Sequence, residues 1–232
     1  MAVTYNEFIR RRLHSLTGIA PLGLFLFEHF FTNSYSHQGE AAFNEKVQFL
    51  RTLPFLFFIE WGVLFLPFLY HMFYGLYIMY TGEYTIRDQH NNRAWMYWLQ
   101  RATAIPAFAF IMYHVISLRF MPHGAGEPNF YRIMIEKFNN PIILGGYVVG
   151  ILCVVFHFAN GIATFCMTWG ITISPNSQRL MGYACIGIGF ALAGAALWAV
   201  LGFVKPMPTE PGTAEMQHTM NLIFDNLRSA LS

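Results

Sequence analysis

Four histidines, His29, His71, His114 and His157, each lie inside a different long apolar stretch of this 232-residue chain. Ionisable side chains are costly in such surroundings, and where they occur they mark functional positions. A neutral imidazole presents one bare ring nitrogen to a metal. Two imidazoles facing each other across a helix bundle make a bis-histidine haem site, so four histidines on four helices could hold two haems. Two acids, Glu28 and Glu60, share the same apolar stretches. A buried carboxylate there could exchange protons with a quinol.

The elements that must position these side chains are membrane spans. Hydrophobic residues make up 55% of the chain and charged residues only 11%, where a soluble domain carries about 25% charge. A bilayer core takes about 20 apolar residues of helix. Five stretches qualify, at about 16–36, 54–80, 98–119, 141–168 and 179–204. The expected fold is an all-α membrane protein: five transmembrane helices over residues 1–204, bundled around two stacked haems, and a polar tail at 205–232. The tail carries a weakly amphipathic stretch, EMQHTMNLIFDNLRSAL. The first apolar stretch is longer than a signal-peptide core and no small-residue cleavage site follows it, so it reads as a span. Cys153, Cys166 and Cys185 form neither a CxxC pair nor a CxxCH haem-attachment motif. A net charge of +2 points to no nucleic-acid partner; lipid is the expected surrounding. Basic residues divide evenly between the two sides, seven against seven. The trio Arg10, Arg11 and Arg12 before the first span therefore decides orientation, with the N-terminus in the cytoplasm.

Depth sorts the histidines. At 1.5 Å per residue, His29 and His114 lie roughly 20 and 24 Å from the inner end of their spans, and His71 and His157 roughly 14 and 16 Å. The expected pairs are His71 with His157 towards the inside and His29 with His114 towards the outside. Reversing the whole chain relabels the sides and keeps the pairs. Gly75 and Gly161 each stand four residues after a histidine of the inner pair, on the same helix face. A missing side chain there leaves room for a flat macrocycle. Eleven residues, three helical turns, separate Gly18 from His29 and Gly146 from His157, so these glycines face the level of the other haem. A zinc or di-metal centre is the competing use of four histidines. It needs all four at one level, with carboxylates among them, and the depth split argues against it.

Glu60 lies three turns before His71, which puts it near the outer pair, whereas Glu28 adjoins His29 and points about 100° away from it. Both are candidates for a quinone site. At the inner level His14, Ser15, Arg12, Trp98 and Arg101 gather at span ends. Haem propionates need such donors, and arginine can bind a carboxylate through two hydrogen bonds.

The stretch RRLHSLTGIAPLGLFLFEHF resembles the first helix of the cytochrome b anchor of succinate:quinone oxidoreductases and quinol:fumarate reductases, the type with one anchor subunit and two haems. LPFLYHMFYGLYI, IMYHVISLRF and HFANGI resemble its second, third and fourth histidine helices. The resemblance spans about residues 8–204. It implies two b haems, with His71 and His157 binding the one nearer the hydrophilic subunits and His29 and His114 the distal one. It also implies a quinone, in this type menaquinone, beside the distal haem. The implied partners are a flavoprotein and an iron–sulfur subunit in a bacterial cytoplasmic membrane, and a higher oligomer of the complex stays open. The chain has no flavin or nucleotide fingerprint, so the resemblance implies an enzyme subunit that does not itself oxidise succinate. One position departs from the pattern. Some fumarate reductases carry a glutamate two residues before the fourth histidine, tied to transmembrane proton transfer, and here that residue is Val155. The residues alone also allow a dihaem anchor of another dehydrogenase, of hydrogenase or formate dehydrogenase type. A transporter or a purely structural anchor would show no b-type spectrum.

Overall fold

The computed structural model describes residues 5–82, 92–122 and 128–205. The polar connection after Gly82, the MPHGAGEPNF turn in part and the tail from Pro206 fall outside the described residues. All regular structure among the described residues is helical.

Among the described residues, four helices are long and apolar enough to cross a membrane. They are α4 (Leu56–Thr81), α5 (Asn92–Val115, prolonged by a wider turn at Ile116–Phe120), α7 (Pro141–Thr168) and α8 (Pro175–Leu201). The remaining expected span, 16–36, is divided between α1 (Tyr5–Ile19) and α2 (Pro21–Ser34). Pro21 has no N–H to donate, which interrupts the helical ladder at that point. Ala20 nonetheless keeps helical dihedrals. Its N–H donates to Leu16 O at 2.8 Å and its carbonyl accepts from Leu24 N at 3.2 Å, so α1 runs into α2 through one proline break.

Local chemistry fixes the other ends. Asn140 and Ser174 cap α7 and α8 through their side chains, with Pro141 and Pro175 in the first turn, where a proline's missing N–H costs nothing. α7 stops at Gly170, whose φ of +70° suits glycine. Ile171 N donates to Cys166 O at 2.8 Å and Gly170 N to Met167 O at 3.2 Å, the paired bonds of a Schellman end. Pro67 follows a π-helical stretch, Ile59–Phe65, in α4, and such turns accommodate the carbonyl that a proline leaves free.

α7 is the central post, packed against α5, α8 and α1, while α4 packs on α1 and α2 on α8. Large apolar side chains stand exposed along the long helices, among them Leu66, Phe73, Ile105, Ile142 and Phe190. In water that surface would be an aggregation hazard; in a bilayer it meets acyl chains.

Two shorter helices that the sequence reading leaves within connections close one end of the bundle. These are α3 (Glu40–Arg51) and α6 (Phe130–Phe138). Each buries one face: Phe43 of α3, and Tyr131, Met134, Ile135 and Phe138 of α6, all packed with Phe203, Val200 and Tyr147. On the polar side, Asn44 Nδ2 donates to Asn129 Oδ1 at 2.8 Å, and Asn129 Nδ2 to Glu40 Oε1 at 2.6 Å. Arg132 Nε also donates to Glu40, at 3.0 Å. The helical spacing of Phe43 and Val47, and of Tyr131, Met134, Ile135 and Phe138, was the available signal.

Candidate functional site

The structure brings the four histidine rings together two by two. The His71 and His157 rings have centres 6.2 Å apart, with planes at 84°. Those of His29 and His114 lie 5.6 Å apart, also at 84°. The first pair lies on the side of α1 and of the N-terminal half of α5, and the second lies beneath the cap of α3 and α6.

Hydrogen bonds set the ring states of the first pair. His71 Nδ1 is 2.9 Å from the carbonyl of His14, and His157 Nδ1 is 3.1 Å from that of Gln100. A carbonyl can only accept, so Nδ1 carries the proton in each ring and Nε2 keeps its lone pair. Gln100 is itself fixed: its amide donates to His157 O at 2.9 Å, and Asn160 donates to its side-chain oxygen at 2.8 Å. In the second pair, His114 Nδ1 lies 3.3 Å from the hydroxyl of Tyr147. The Asn33 amide approaches His29 Nε2 at 3.4 Å and donates more closely, at 2.7 Å, to the carbonyl of His29.

Around the first pair lies a basic, incompletely hydrogen-bonded group. The His14 ring stacks on His71 with centres 4.1 Å apart, and its Nε2 is buried without a partner. Arg12 Nε, Tyr74 Oη and Arg101 Nε are likewise buried and unpartnered. Arg101 is 8% exposed and lies 3.4 Å over the Tyr97 ring. Ser15 Oγ accepts from the Trp169 indole at 3.0 Å, and Arg12 donates to Thr168 O at 3.2 Å, joining α1 to the end of α7. Trp98 stands 39% exposed, edge-on to Trp95. Gly18 meets His71 directly: a Cβ there would be 2.5 Å from His71 Cε1. At Gly75 the neighbour is His14, whose Nε2 would be 3.1 Å from an added Cβ; at Gly161 it is the Gln100 amide, at 3.7 Å. Gly146 has open space beside it.

The two acids have partners. Glu60 pairs with Arg119 across α4 and α5, Nη2 to Oε2 at 2.9 Å and Nε to Oε1 at 3.3 Å. Glu28 Oε1 accepts from Thr32 at 2.6 Å, one turn along α2. The sequence reading treats Arg119 only as an outer-side charge and passes over Tyr147. A polar tip within an apolar span was the signal for Tyr147, and a cation level with Glu60 the signal for Arg119.

The residues fit a haem at each pair. A metal–imidazole nitrogen bond is about 2 Å long, so two rings on opposite sides of one metal have centres roughly 6 Å apart. Both observed separations match that span. At the first pair the bare nitrogens are Nε2, and Arg12, His14, Tyr74 and Arg101 offer unsatisfied polar atoms to anionic propionates. The four span histidines meet in twos, with His14 stacked behind one of them, and no group of three or more His, Cys, Asp or Glu forms a metal cage among the described residues.

Similarity to known proteins narrows the class. Residues 83–196 match the family model of the succinate dehydrogenase/fumarate reductase transmembrane subunit. The chain is also 40% identical over 199 residues to the succinate dehydrogenase cytochrome b558 subunit of Bacillus subtilis (strain 168), covering 86% of this chain and 98% of that protein. Of the two redox anchors that the residues allow, this favours the succinate dehydrogenase type. With an all-helical apolar bundle already in view, the match places the chain in the family of succinate dehydrogenase/fumarate reductase transmembrane subunits, the membrane anchor of that enzyme complex.

Proposed function

We propose that this chain is a dihaem cytochrome b anchor that carries electrons between an iron–sulfur subunit and membrane quinone. The observation that carries the reading is the meeting of four histidines from four spans as two separate pairs, each at a metal-spanning distance. Counting the proline-broken stretch Tyr5–Ser34 as one span makes five, and the Arg10–Arg12 trio sets the N-terminus in the cytoplasm. His71 and His157 then ligate the inner haem and His29 and His114 the outer one. When bound, each haem supplies a one-electron carrier.

The protein's own residues orient and enclose. The carbonyls of His14 and Gln100 hold the inner ligands in the tautomer that presents Nε2. Arg12, His14, Ser15, Trp98 and Arg101 line the level of the inner propionates, with the two arginines and His14 as donors. Gly18 keeps backbone-only bulk beside His71, and Gly75 and Gly161 keep the faces below His71 and His157 narrow. The partners are a flavoprotein subunit, which handles the dicarboxylate, and an iron–sulfur subunit on the inner face. The quinone, menaquinone in this reading, docks at the outer haem near Glu60 and Glu28. Purifying the complex through this chain is expected to bring down both hydrophilic subunits and a b-type reduced-minus-oxidised spectrum. A purified complex with no b-type signal contradicts the proposal.

Glu60 gives a second test. Glu60→Gln keeps the side chain's size and an amide oxygen that can still accept from Arg119, while removing the group that can exchange a proton. Turnover with quinol is expected to fall about tenfold or more, with a flattened pH profile, as removal of a proton-exchanging group predicts. Unchanged turnover and pH dependence would remove Glu60 from the quinone site.

A further inference from the structure

The two histidine pairs are held by different means. At the inner pair both Nδ1 atoms point to main-chain carbonyls, those of His14 and Gln100. No side-chain substitution at those two positions deletes these acceptors. At the outer pair, His114 Nδ1 is held by a side chain, the hydroxyl of Tyr147, at 3.3 Å. That phenol is 3% exposed and sits in a box of rings meeting it at steep angles: Phe138 at 4.9 Å, Phe110 at 5.1 Å, His114 at 5.7 Å and Tyr113 at 6.1 Å. Gly150 leaves the space that Phe110 fills. Phe138 is the last residue of α6, so the cap helix itself forms one wall of the box.

We propose that Tyr147 is a positioning residue for the outer haem, holding the His114 ring by accepting from its Nδ1–H and lowering that haem's potential independently of the inner one. The inference rests on His114 being an outer-haem ligand. A histidine bound to metal through Nε2 carries its proton on Nδ1, and a hydrogen-bond acceptor there makes the ring a stronger electron donor. A stronger donor stabilises the oxidised iron, so the acceptor lowers the potential. Because the phenol is clamped by Phe138, the cap helix and the outer haem are mechanically joined through one side chain.

The test is Tyr147→Phe in the intact complex, which removes one oxygen and keeps the ring box. At a fixed ambient potential the oxidised-to-reduced ratio of the outer haem is expected to fall about threefold, the lower end for one hydrogen bond because the contact is long. That is an upward midpoint shift of about 28 mV at 59 mV per tenfold for one electron. The inner haem's midpoint stays put, and the low-spin ferric signal of the outer haem alone changes. Tyr113→Phe, which removes a neighbouring phenol with no bond to His114, is expected to shift neither haem. Phe138→Leu, which loosens the clamp and keeps the hydroxyl, is expected to move the outer haem in the same direction by less, and it serves if Tyr147→Phe fails to assemble. Two haems with unmoved midpoints in Tyr147→Phe, or an equal shift in Tyr113→Phe, overturns the role of Tyr147. Absence of a second haem in the unsubstituted complex overturns the dihaem reading itself.

Discussion

His71→Ala is expected to leave one haem per chain in place of two, and the survivor should be the haem on the quinone side. The His71 ring is the single contribution of α4 to the inner pair, 6.2 Å from His157 across the bundle. Its removal leaves His157 with no opposing imidazole and strips His14 of the ring it stacks on. The outer pair is built on α2 and α5, with Tyr147 of α7 behind His114, and shares no ring contact with His71. Haem extraction should therefore show a loss of about half, and the haem that exchanges electrons with the iron–sulfur subunit should be the missing one. Loss of the quinone-side haem alone would refute the assignment of the pairs.

Gly18→Leu should reproduce that phenotype without touching a ligand. A Cβ at residue 18 would lie 2.5 Å from His71 Cε1 and 2.9 Å from Nδ1, closer than carbon atoms pack. The His71 ring cannot yield freely, because its Nδ1 is bonded to His14 O on the same helix as Gly18. Replacing glycine by a good helix former gains up to about 1 kcal/mol of local propensity, so any loss comes from the forced shift, at about 1–3 kcal/mol for overpacking. The inner haem is expected to fall to a small fraction of its normal content, with the outer haem retained. Gly187→Ala on α8, with open space at its Cβ position, serves as the control and should change neither. A Gly18→Leu complex with both haems at full content would separate Gly18 from the inner site.

Much of this arrangement was legible in the sequence because a membrane limits the alternatives. Apolar length pointed to the four long helices, while the stretch at 16–36 is divided at Pro21; a fixed rise per residue turned histidine positions into levels, so the ring pairs could be read before any packing was known. What depth could not supply was rotation about each helix axis. Gly18 was expected to face the haem level other than that of His29, and it lies against His71 of that other pair; the direct contact with the ring depends on rotation, which depth does not fix. Gly75 was read as bare clearance, yet His14 occupies its front. Glu60 was read as a quinone-site carboxylate with no partner named, because residue spacing along α4 does not show which side of α5 faces it; the Arg119 contact is tertiary. α3 and α6 were missed because their burial depends on each other and on Phe203, while each alone is a short polar-faced segment. The break at Pro21 was visible as a residue, but whether a proline bends or ends a span depends on the neighbours that take up the freed carbonyl.

One chain is expected to hold two b haems at two levels. A potentiometric titration of the purified complex, followed in the b-type absorbance, tests it most directly. Two one-electron steps of similar amplitude, with two haems extracted per chain, are the predicted result. A single step with one haem per chain would contradict it.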